Sequence, residues 1–228
     1  MAAPAAPIVV AIDGPSGVGK STVARRLARR LGVPFLDTGA MYRAIALRVL
    51  ASGADPADRD AVAAIAAKTD VALRPRPDGS FEVLLDGAPV GPSIRTPEVG
   101  EATSTIAAWP EVRRRLVELQ RDAARRAGGV LEGRDIGTHV FPETPHKFFL
   151  DARSEVRFRR RHDELTAAGR EVTMEQVRDE ITRRDRRDTT RADSPLTRDP
   201  SYTYIDASGL GIDEVVERMA AAIAQRTS

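Results

Sequence analysis

The stretch IDGPSGVGKST, residues 12–22, contains a complete G-x-x-x-x-G-K-[ST] motif from Gly14 to Ser21. It follows the apolar run 8–12, which predicts a buried strand, and it precedes a helical pattern over about residues 20–31. A strand, a glycine-rich turn and a helix in this order present backbone N–H groups and a helix N-terminus to phosphate. The motif therefore predicts a site for the phosphates of ATP or GTP.

The side chains of this phosphate loop (residues 14–21) have distinct expected roles. Lys20 can neutralise oxygens of the β- and γ-phosphates, and the Ser21 hydroxyl can coordinate Mg²⁺. A GTPase switch would also need an Asn-Lys-x-Asp guanine motif, and the sequence contains no asparagine. The nucleotide contacts are predicted to come from Gly14, Pro15, Ser16, Gly17, Val18, Gly19, Lys20, Ser21 and Thr22.

Short apolar runs alternate with helical patterns along the rest of the chain. One such helical pattern covers about residues 40–51, and others lie between or after the later runs. Short apolar strands separated by helices predict an α/β fold, with helices on both faces of a parallel sheet. Five strands are expected, at 8–12, 33–36, 129–132, 147–150 and 203–206.

Residues 69–97 break this rhythm. The short apolar runs 71–73 and 81–85 are separated by the turn signal PRPDG, and a second turn signal follows at 86–87. Small antiparallel strands joined by turns are the expected structure. The segment is predicted to be a β-rich insert, and an ordinary surface excursion fits the same pattern.

Composition limits the class of protein. Apolar residues make up 42% and charged residues 30% of the chain, which is typical of a soluble globular protein. No apolar run approaches the roughly 20 residues that cross a bilayer, and the start lacks the basic residues of a secretory signal. There are no cysteines, so disulfides and thiolate metal sites are excluded. A cytoplasmic location is expected.

The distribution of arginine is more informative than the net charge of +2. Arginines are concentrated in 153–161 and 183–191, and acidic residues are interleaved with them. A nucleic-acid-binding surface would more often be a net-positive stripe. Mixed clusters fit better with binding of a small anionic substrate.

Six segments together resemble the bacterial cytidylate kinases, which are nucleoside monophosphate kinases. They are IDGPSGVGKST (12–22), LDTGAMYRA (36–44), IRTPEV (94–99), EGRDIGTHVFP (132–142), FLDA (149–152) and RRDRRDTTR (183–191). The resemblance implies a monomer with one domain, 1–228, built as a three-layer P-loop kinase core. That core would cover about 7–68 and 98–228, with an acceptor-binding insert at 69–97 and a helical lid at 154–191.

The resemblance also implies how an acceptor nucleotide is bound. Arg43 and Arg134 would contact its phosphate, since guanidinium forks suit a dianionic phosphate, and Thr38 would contact the same nucleotide. The base would be bound by Ser104, Arg113, Asp135 and Arg191, and the ribose by Arg184 and Asp188. The spacing of 184, 188 and 191 predicts one shared helix face, on which Arg184 and Asp188 could alternatively form an ordinary i,i+4 ion pair.

Arginines of the expected lid are candidates for stabilising the transferring phosphoryl group. Arg157, Arg160 and Arg161 lie at i, i+3 and i+4, and Arg187 could face the same group. The catalytic residues are therefore predicted to be Lys20, Arg134, Arg157, Arg161 and Arg187. Glu132 stands where many relatives have Asp, which leaves open whether its carboxylate contacts Mg²⁺.

The reaction implied by the resemblance is ATP + CMP (or dCMP) giving ADP + CDP (or dCDP), with Mg²⁺ and no covalent intermediate. CMP and dCMP would be the only partners, without nucleic acid or membrane. Two alternatives stay open at this point. The acceptor could be UMP, AMP or a non-nucleotide such as shikimate, or the chain could be an RNA-binding NTPase.

Overall fold

The computed structural model describes residues 7–227. In chain order the helices and strands are β1 (Val9–Asp13), α1 (Lys20–Leu31), β2 (Phe35–Asp37), α2 (Thr38–Ala51), α3 (Arg59–Lys68), β3 (Val71–Pro75), β4 (Phe81–Leu85), β5 (Ala88–Pro89), α4 (Pro97–Ile106), α5 (Pro110–Ala127), β6 (Gly129–Gly133), β7 (His146–Asp151), α6 (Ser154–Ala167), α7 (Met174–Thr190), β8 (Thr203–Asp206) and α8 (Ile212–Thr227). A 3₁₀ helix covers Gly91–Arg95 and a π-helical turn covers Ile136–Val140.

The main sheet has five parallel strands in the order β2-β6-β1-β7-β8. One apolar cluster packs α2, α4 and α5 on one face, and a second packs α1 and α8 on the other. Strands covered on both faces must be almost continuously apolar, as β1 is, with Val10, Ala11 and Ile12 fully buried. The predicted α/β fold is confirmed, and the carboxyl ends of β1 and β6 lie side by side.

The second strand starts later than the sequence suggested. Helix α1 ends at Leu31. Its C-terminal cap residue, Gly32, adopts a left-handed conformation with φ 66°, and the Val33 N–H donates to the Ala28 carbonyl. Residue 34 is proline and has no N–H to donate to a neighbouring strand. Pairing with β6 therefore begins at Phe35 rather than at Val33.

The β-rich insert forms a separate antiparallel sheet in the order β3-β4-β5. The turn between β3 and β4 reaches the free edge of the main sheet, where the Phe35 N–H donates to the Gly79 carbonyl over 2.9 Å. An edge strand with unpaired N–H groups is prone to pair with other chains. The insert thus covers the edge at β2.

Helices α6 and α7 form an antiparallel pair beside the sheet. Leu165, Val177 and Ile181 give them a small apolar cluster of their own. The Thr173 side chain and Gln176 cap the start of α7 reciprocally, which fixes where that helix begins. No helix in the described part of the chain is long and apolar enough to span a membrane.

Candidate active site

A cavity of about 640 Å³ opens at the carboxyl edge of the main sheet. In an open α/β sheet this edge is where ligands bind, between the strand ends and the following helices. The structure brings most predicted site residues to its walls: Ser16, Gly17, Val18, Gly19, Lys20, Ser21, Thr22, Thr38, Arg43, Ser104, Arg113, Arg134, Asp135, Arg161, Arg184, Asp188 and Arg191. Gly14, Pro15, Arg157 and Arg187 lie outside the lining.

The phosphate loop is held tightly against the sheet. A Cβ at Gly14 would collide with the Leu150 carbonyl oxygen of β7, so this position needs glycine. Gly19 adopts φ 98° immediately before α1, which turns the loop into the helix N-terminus. The buried Lys20 ammonium donates to the Gly14 carbonyl over 2.8 Å and to the Pro15 carbonyl over 2.7 Å. Burial and the nearby Arg134 charge lower its pKa.

Ser16 is held from three directions. Its N–H donates to the Asp185 carboxylate of α7 over 3.0 Å, and its carbonyl accepts from Arg157 of α6 over 3.0 Å. Arg157 also pairs with Asp185. The Ser16 hydroxyl accepts a hydrogen bond from Arg134 over 3.0 Å. Helices α6 and α7 and the end of β6 therefore meet at one residue of the phosphate loop.

An arginine cluster (Arg43, Arg134, Arg161 and Arg184) concentrates positive charge beside the phosphate loop. Burial, followed by the Arg134 charge, lowers the pKa of Arg184 to about 10, and Arg43 and Arg161 add to the effect. Asp188 offsets part of this charge through a 2.7 Å ion pair with Arg134. Buried like charges repel unless an anion neutralises them, so the cluster favours binding of an anion.

A second set of polar side chains (the Asp135 group: Asp135, Arg113, Arg191 and Ser104) lies next to this cluster. Asp135 is buried between the guanidinium groups of Arg113 and Arg191, the second at 3.1 Å. Arg113 stacks over the Tyr42 ring at 5.9 Å. The Ser104 hydroxyl is buried without a hydrogen-bond partner among the described residues. The Asp135 group can donate hydrogen bonds to a ligand and can accept hydrogen bonds from it.

One prediction about α7 is wrong. The helix ends at Thr190, and Arg191 is extended with φ −62° and ψ 143°, so it does not continue the helix face of Arg184 and Asp188. Arg191 instead turns back to Asp135. The alternative, an i,i+4 ion pair between Arg184 and Asp188, does not form: Asp188 pairs with Arg134, which directly follows β6.

The arginines of α6 and α7 lie in different environments. Arg161 pairs with Glu164 at 3.1 Å and Glu180 at 3.5 Å while lining the cavity. Arg160 also lines it and donates to the Val18 carbonyl over 3.2 Å. Arg187 pairs with Glu101 of α4, away from the cavity. Of the three α6 and α7 arginines in the predicted catalytic set, Arg161 lines the cavity, and Arg157 and Arg187 do not.

A family model for cytidylate kinases matches residues 10–225. The chain belongs to the cytidylate kinase family. A cytidylate kinase of Pelotomaculum thermopropionicum is 49% identical over 94% of this chain and 95% of its own length. One from Corynebacterium glutamicum is 49% identical over 95% of this chain and 94% of its own length. A solved structure, an uncharacterized protein from Eubacterium ventriosum, shares the fold with a TM-score of 0.55 at 15% identity, covering 96% and 98% of the two chains.

In this member of the cytidylate kinase family, Glu132 offers oxygen ligands beside the phosphate loop. It is buried, and its Oε1 atom has no hydrogen-bond partner among residues 7–227. Burial and the neighbouring Asp37 charge raise its pKa, while Lys20 and Ser21 act in the opposite direction. Carboxylate and hydroxyl oxygens are the donors that Mg²⁺ prefers. The residues present therefore fit a magnesium ion held together with nucleotide phosphates.

Sequence reasoning missed three residues that organise this kinase-family site. Asp185 accepts a hydrogen bond from the Ser16 N–H, and Asp13 and Tyr202 form a buried hydrogen-bonded pair next to the turn Ile136–Val140. Asp185 lies inside the arginine-rich segment 183–191, in which the helix spacing pointed to its neighbours Arg184 and Asp188. Asp13 precedes the motif directly, but nothing in its local pattern shows that its partners lie more than 120 residues away.

Proposed function

We propose that this chain transfers the γ-phosphoryl group of ATP to CMP or dCMP, giving ADP and CDP or dCDP. Family membership supports the reaction. One structural observation carries the assignment of sites: the phosphate loop, the arginine cluster and the Asp135 group line one cavity, and Arg134 contacts Ser16 and directly precedes Asp135. An acceptor monophosphate bound there would have its phosphate facing the donor and its base between Arg113 and Arg191.

The chemistry of the Asp135 group fits cytosine. Cytosine has an N4 amino donor next to its N3 acceptor, whereas uracil has an O4 acceptor next to an N3–H donor. The Asp135 carboxylate can accept from the cytosine amine and repels uracil O4. Arg113 and Arg191 can donate to cytosine N3 or O2. Ser104 adds a hydroxyl that has no hydrogen-bond partner among the described residues and could bind the base.

Transfer would proceed by direct attack. An oxygen of the CMP phosphate attacks the γ-phosphorus, the bond from the γ-phosphorus to the β–γ bridging oxygen breaks, and ADP leaves. Lys20 would neutralise the β- and γ-phosphate oxygens, and Arg134 and Arg161 would stabilise charge on the transferring group. Mg²⁺, when bound, neutralises phosphate charge; Ser21 and Glu132 would hold it. Arg157 and Arg187 act through Asp185 and Glu101, in our proposal, rather than on the phosphoryl group.

The mobile parts are assigned on the same basis. The insert at 69–97 would belong to the acceptor-binding part and α6 and α7, within 154–191, to a lid, both on a core at 7–68 and 98–228. Closure of both parts would exclude water and suppress ATP hydrolysis. A cytoplasmic monomer that takes only small-molecule substrates, without nucleic acid or membrane, completes the proposal.

An acceptor panel tests the function. With ATP and Mg²⁺, CMP and dCMP are expected to be phosphorylated well, and AMP, GMP and shikimate hardly at all, as membership of the cytidylate kinase family implies. A coupled ADP-release assay measures this, and a parallel Lys20→Ala preparation reports contaminating kinases. Efficient turnover of AMP without CMP contradicts the proposal, as does ATP hydrolysis that is stimulated by RNA and lost with salt.

The lid contact on Ser16 gives a second prediction. Asp185→Asn removes the charge from the acceptor of the Ser16 N–H, and a hydrogen bond to a charged group contributes about 1.5–3 kcal/mol. The Kd for ATP, measured without acceptor by calorimetry, is expected to rise about tenfold. Asp179→Asn, an exposed aspartate on the same helix, is the matched control. Equal ATP affinity in all three proteins would show that the lid does not order the loop.

A further inference from the structure

The carboxylate of Asp13 is fully buried and accepts three hydrogen bonds. The donors are the Ile136 N–H at 2.9 Å, the Gly137 N–H at 2.8 Å and the Tyr202 hydroxyl at 2.7 Å. Burying a carboxylate is costly unless it is fully hydrogen-bonded. Three aligned donors at this one position show that the site is built to hold the carboxylate.

The position of Asp13 links two functional segments. It is the last residue of β1 and directly precedes Gly14 of the phosphate loop. Its two backbone partners are the first N–H groups of the π-helical turn Ile136–Val140. N–H groups at the start of a helix have no partner within that helix, and here they donate to the Asp13 carboxylate at the end of β1. The turn begins immediately after Arg134 and Asp135, so its position fixes the backbone from which those two side chains extend.

Tyr202 ties a third segment to the same point. It lies on the chain between Arg191 and β8, with its ring edge against Phe149 at 6.0 Å between centroids. A Cβ at Gly137 would lie 2.7 Å from the Tyr202 hydroxyl oxygen, so the ring occupies space that only glycine leaves open. The turn after β6 is therefore held by hydrogen bonds to Asp13 and by close packing against the Tyr202 ring.

We propose that Asp13 and Tyr202 are positioning residues that orient Arg134 and Asp135 toward the acceptor nucleotide. This inference rests on the proposed CMP kinase function and adds a determinant of acceptor discrimination. Neither residue lines the cavity within the described part of the chain. Their effect is exerted through the backbone of Ile136 and Gly137, whose N–H groups fix the direction in which the chain leaves β6.

The test uses Tyr202→Phe, which removes one hydroxyl and keeps the ring. Tyr204→Phe is the matched control, because Tyr204 also packs on Phe149 but is partly exposed and its hydroxyl lies 3.5 Å from Asp151. In Tyr202→Phe, kcat/KM for CMP is expected to fall about fivefold, somewhat less than the loss of a hydrogen bond made directly to substrate. The CMP-to-UMP ratio should shrink and the Kd for ATP should stay unchanged. Tyr204→Phe should match the wild type.

Amide hydrogen exchange provides a readout that does not depend on the substrate. Exchange at Ile136 and Gly137 is expected to accelerate in Tyr202→Phe and further in Asp13→Asn, while amides of α1 stay protected. A lower Tm with an unchanged CMP-to-UMP ratio in both variants would show a merely structural role and overturn the proposal. Wild-type protein that does not phosphorylate CMP refutes the proposed function instead, and the exchange data then still report on the contact.

Discussion

Lys20→Ala is expected to lower turnover on the order of 100-fold or more while the fold stays intact. The ammonium group is buried at the start of α1 and lies against the Gly14 and Pro15 carbonyls, next to the arginine cluster. Removing a cation that neutralises β- and γ-phosphate oxygens in such a desolvated site costs several kcal/mol of transition-state stabilisation, at about 1.36 kcal/mol per tenfold in rate. Steady-state kcat with CMP and saturating ATP is the measurement.

The chain contains a suitable control for this change. Lys68 is exposed at the end of α3, and Lys68→Ala removes an equal charge without touching the cavity. Its turnover should equal that of the wild type. Thermal unfolding shows whether Lys20→Ala is folded. Near-normal turnover in a folded Lys20→Ala protein would mean that the loop is not the catalytic phosphate site.

Asp135→Ala is expected to have a double effect. It lowers kcat/KM for CMP by at least about tenfold and that for UMP much less, because a hydrogen bond to a charged group contributes about 1.5–3 kcal/mol. The structure adds a cost that the sequence did not show. Asp135 pairs with Arg113 and Arg191, whose side chains are 2% and 5% exposed. Removing one partner of a buried ion pair destabilises a protein by about 3–5 kcal/mol.

Asp135→Asn separates the two effects. It keeps the size of the side chain and one acceptor oxygen, and its amide can donate to uracil O4. The CMP-to-UMP ratio should fall further than in Asp135→Ala, with a smaller loss of stability in urea unfolding. If both acceptors lose activity equally in both variants, Asp135 only orients the two arginines and does not recognise the base.

Local sequence carries most of the information about the fold. The strand before Gly14, the helix after Lys20 and the five apolar runs each depend on residues close together in the chain. The same holds for the insert, in which a turn signal separates the two apolar runs that form β3 and β4. Strand β2 starts two residues later than predicted because of the helix cap at Gly32 and the missing N–H of Pro34. Apolar periodicity does not indicate either feature.

The partners of charged side chains could not be predicted in this way. Helix spacing offered Arg184 as a possible partner for Asp188, whereas the folded chain pairs Asp188 with Arg134, 54 positions away. It also placed Arg191 on a helix that ends one residue earlier. A buried carboxylate pairs with whichever cation the packing of strands and helices brings near, because desolvation makes an unpaired charge costly.

The sequence by itself determined the phosphate loop, the parallel sheet and which residue types gather at its carboxyl edge, since glycine conformations, helix starts and apolar periodicity are properties of neighbouring residues. Only the tertiary structure decided that Asp185 holds Ser16 from a distance of 169 positions and that Asp13 supports the turn after Asp135 from 123 positions before Ile136. Those contacts form only when separate strands and helices pack together and exclude water, which makes their hydrogen bonds obligatory.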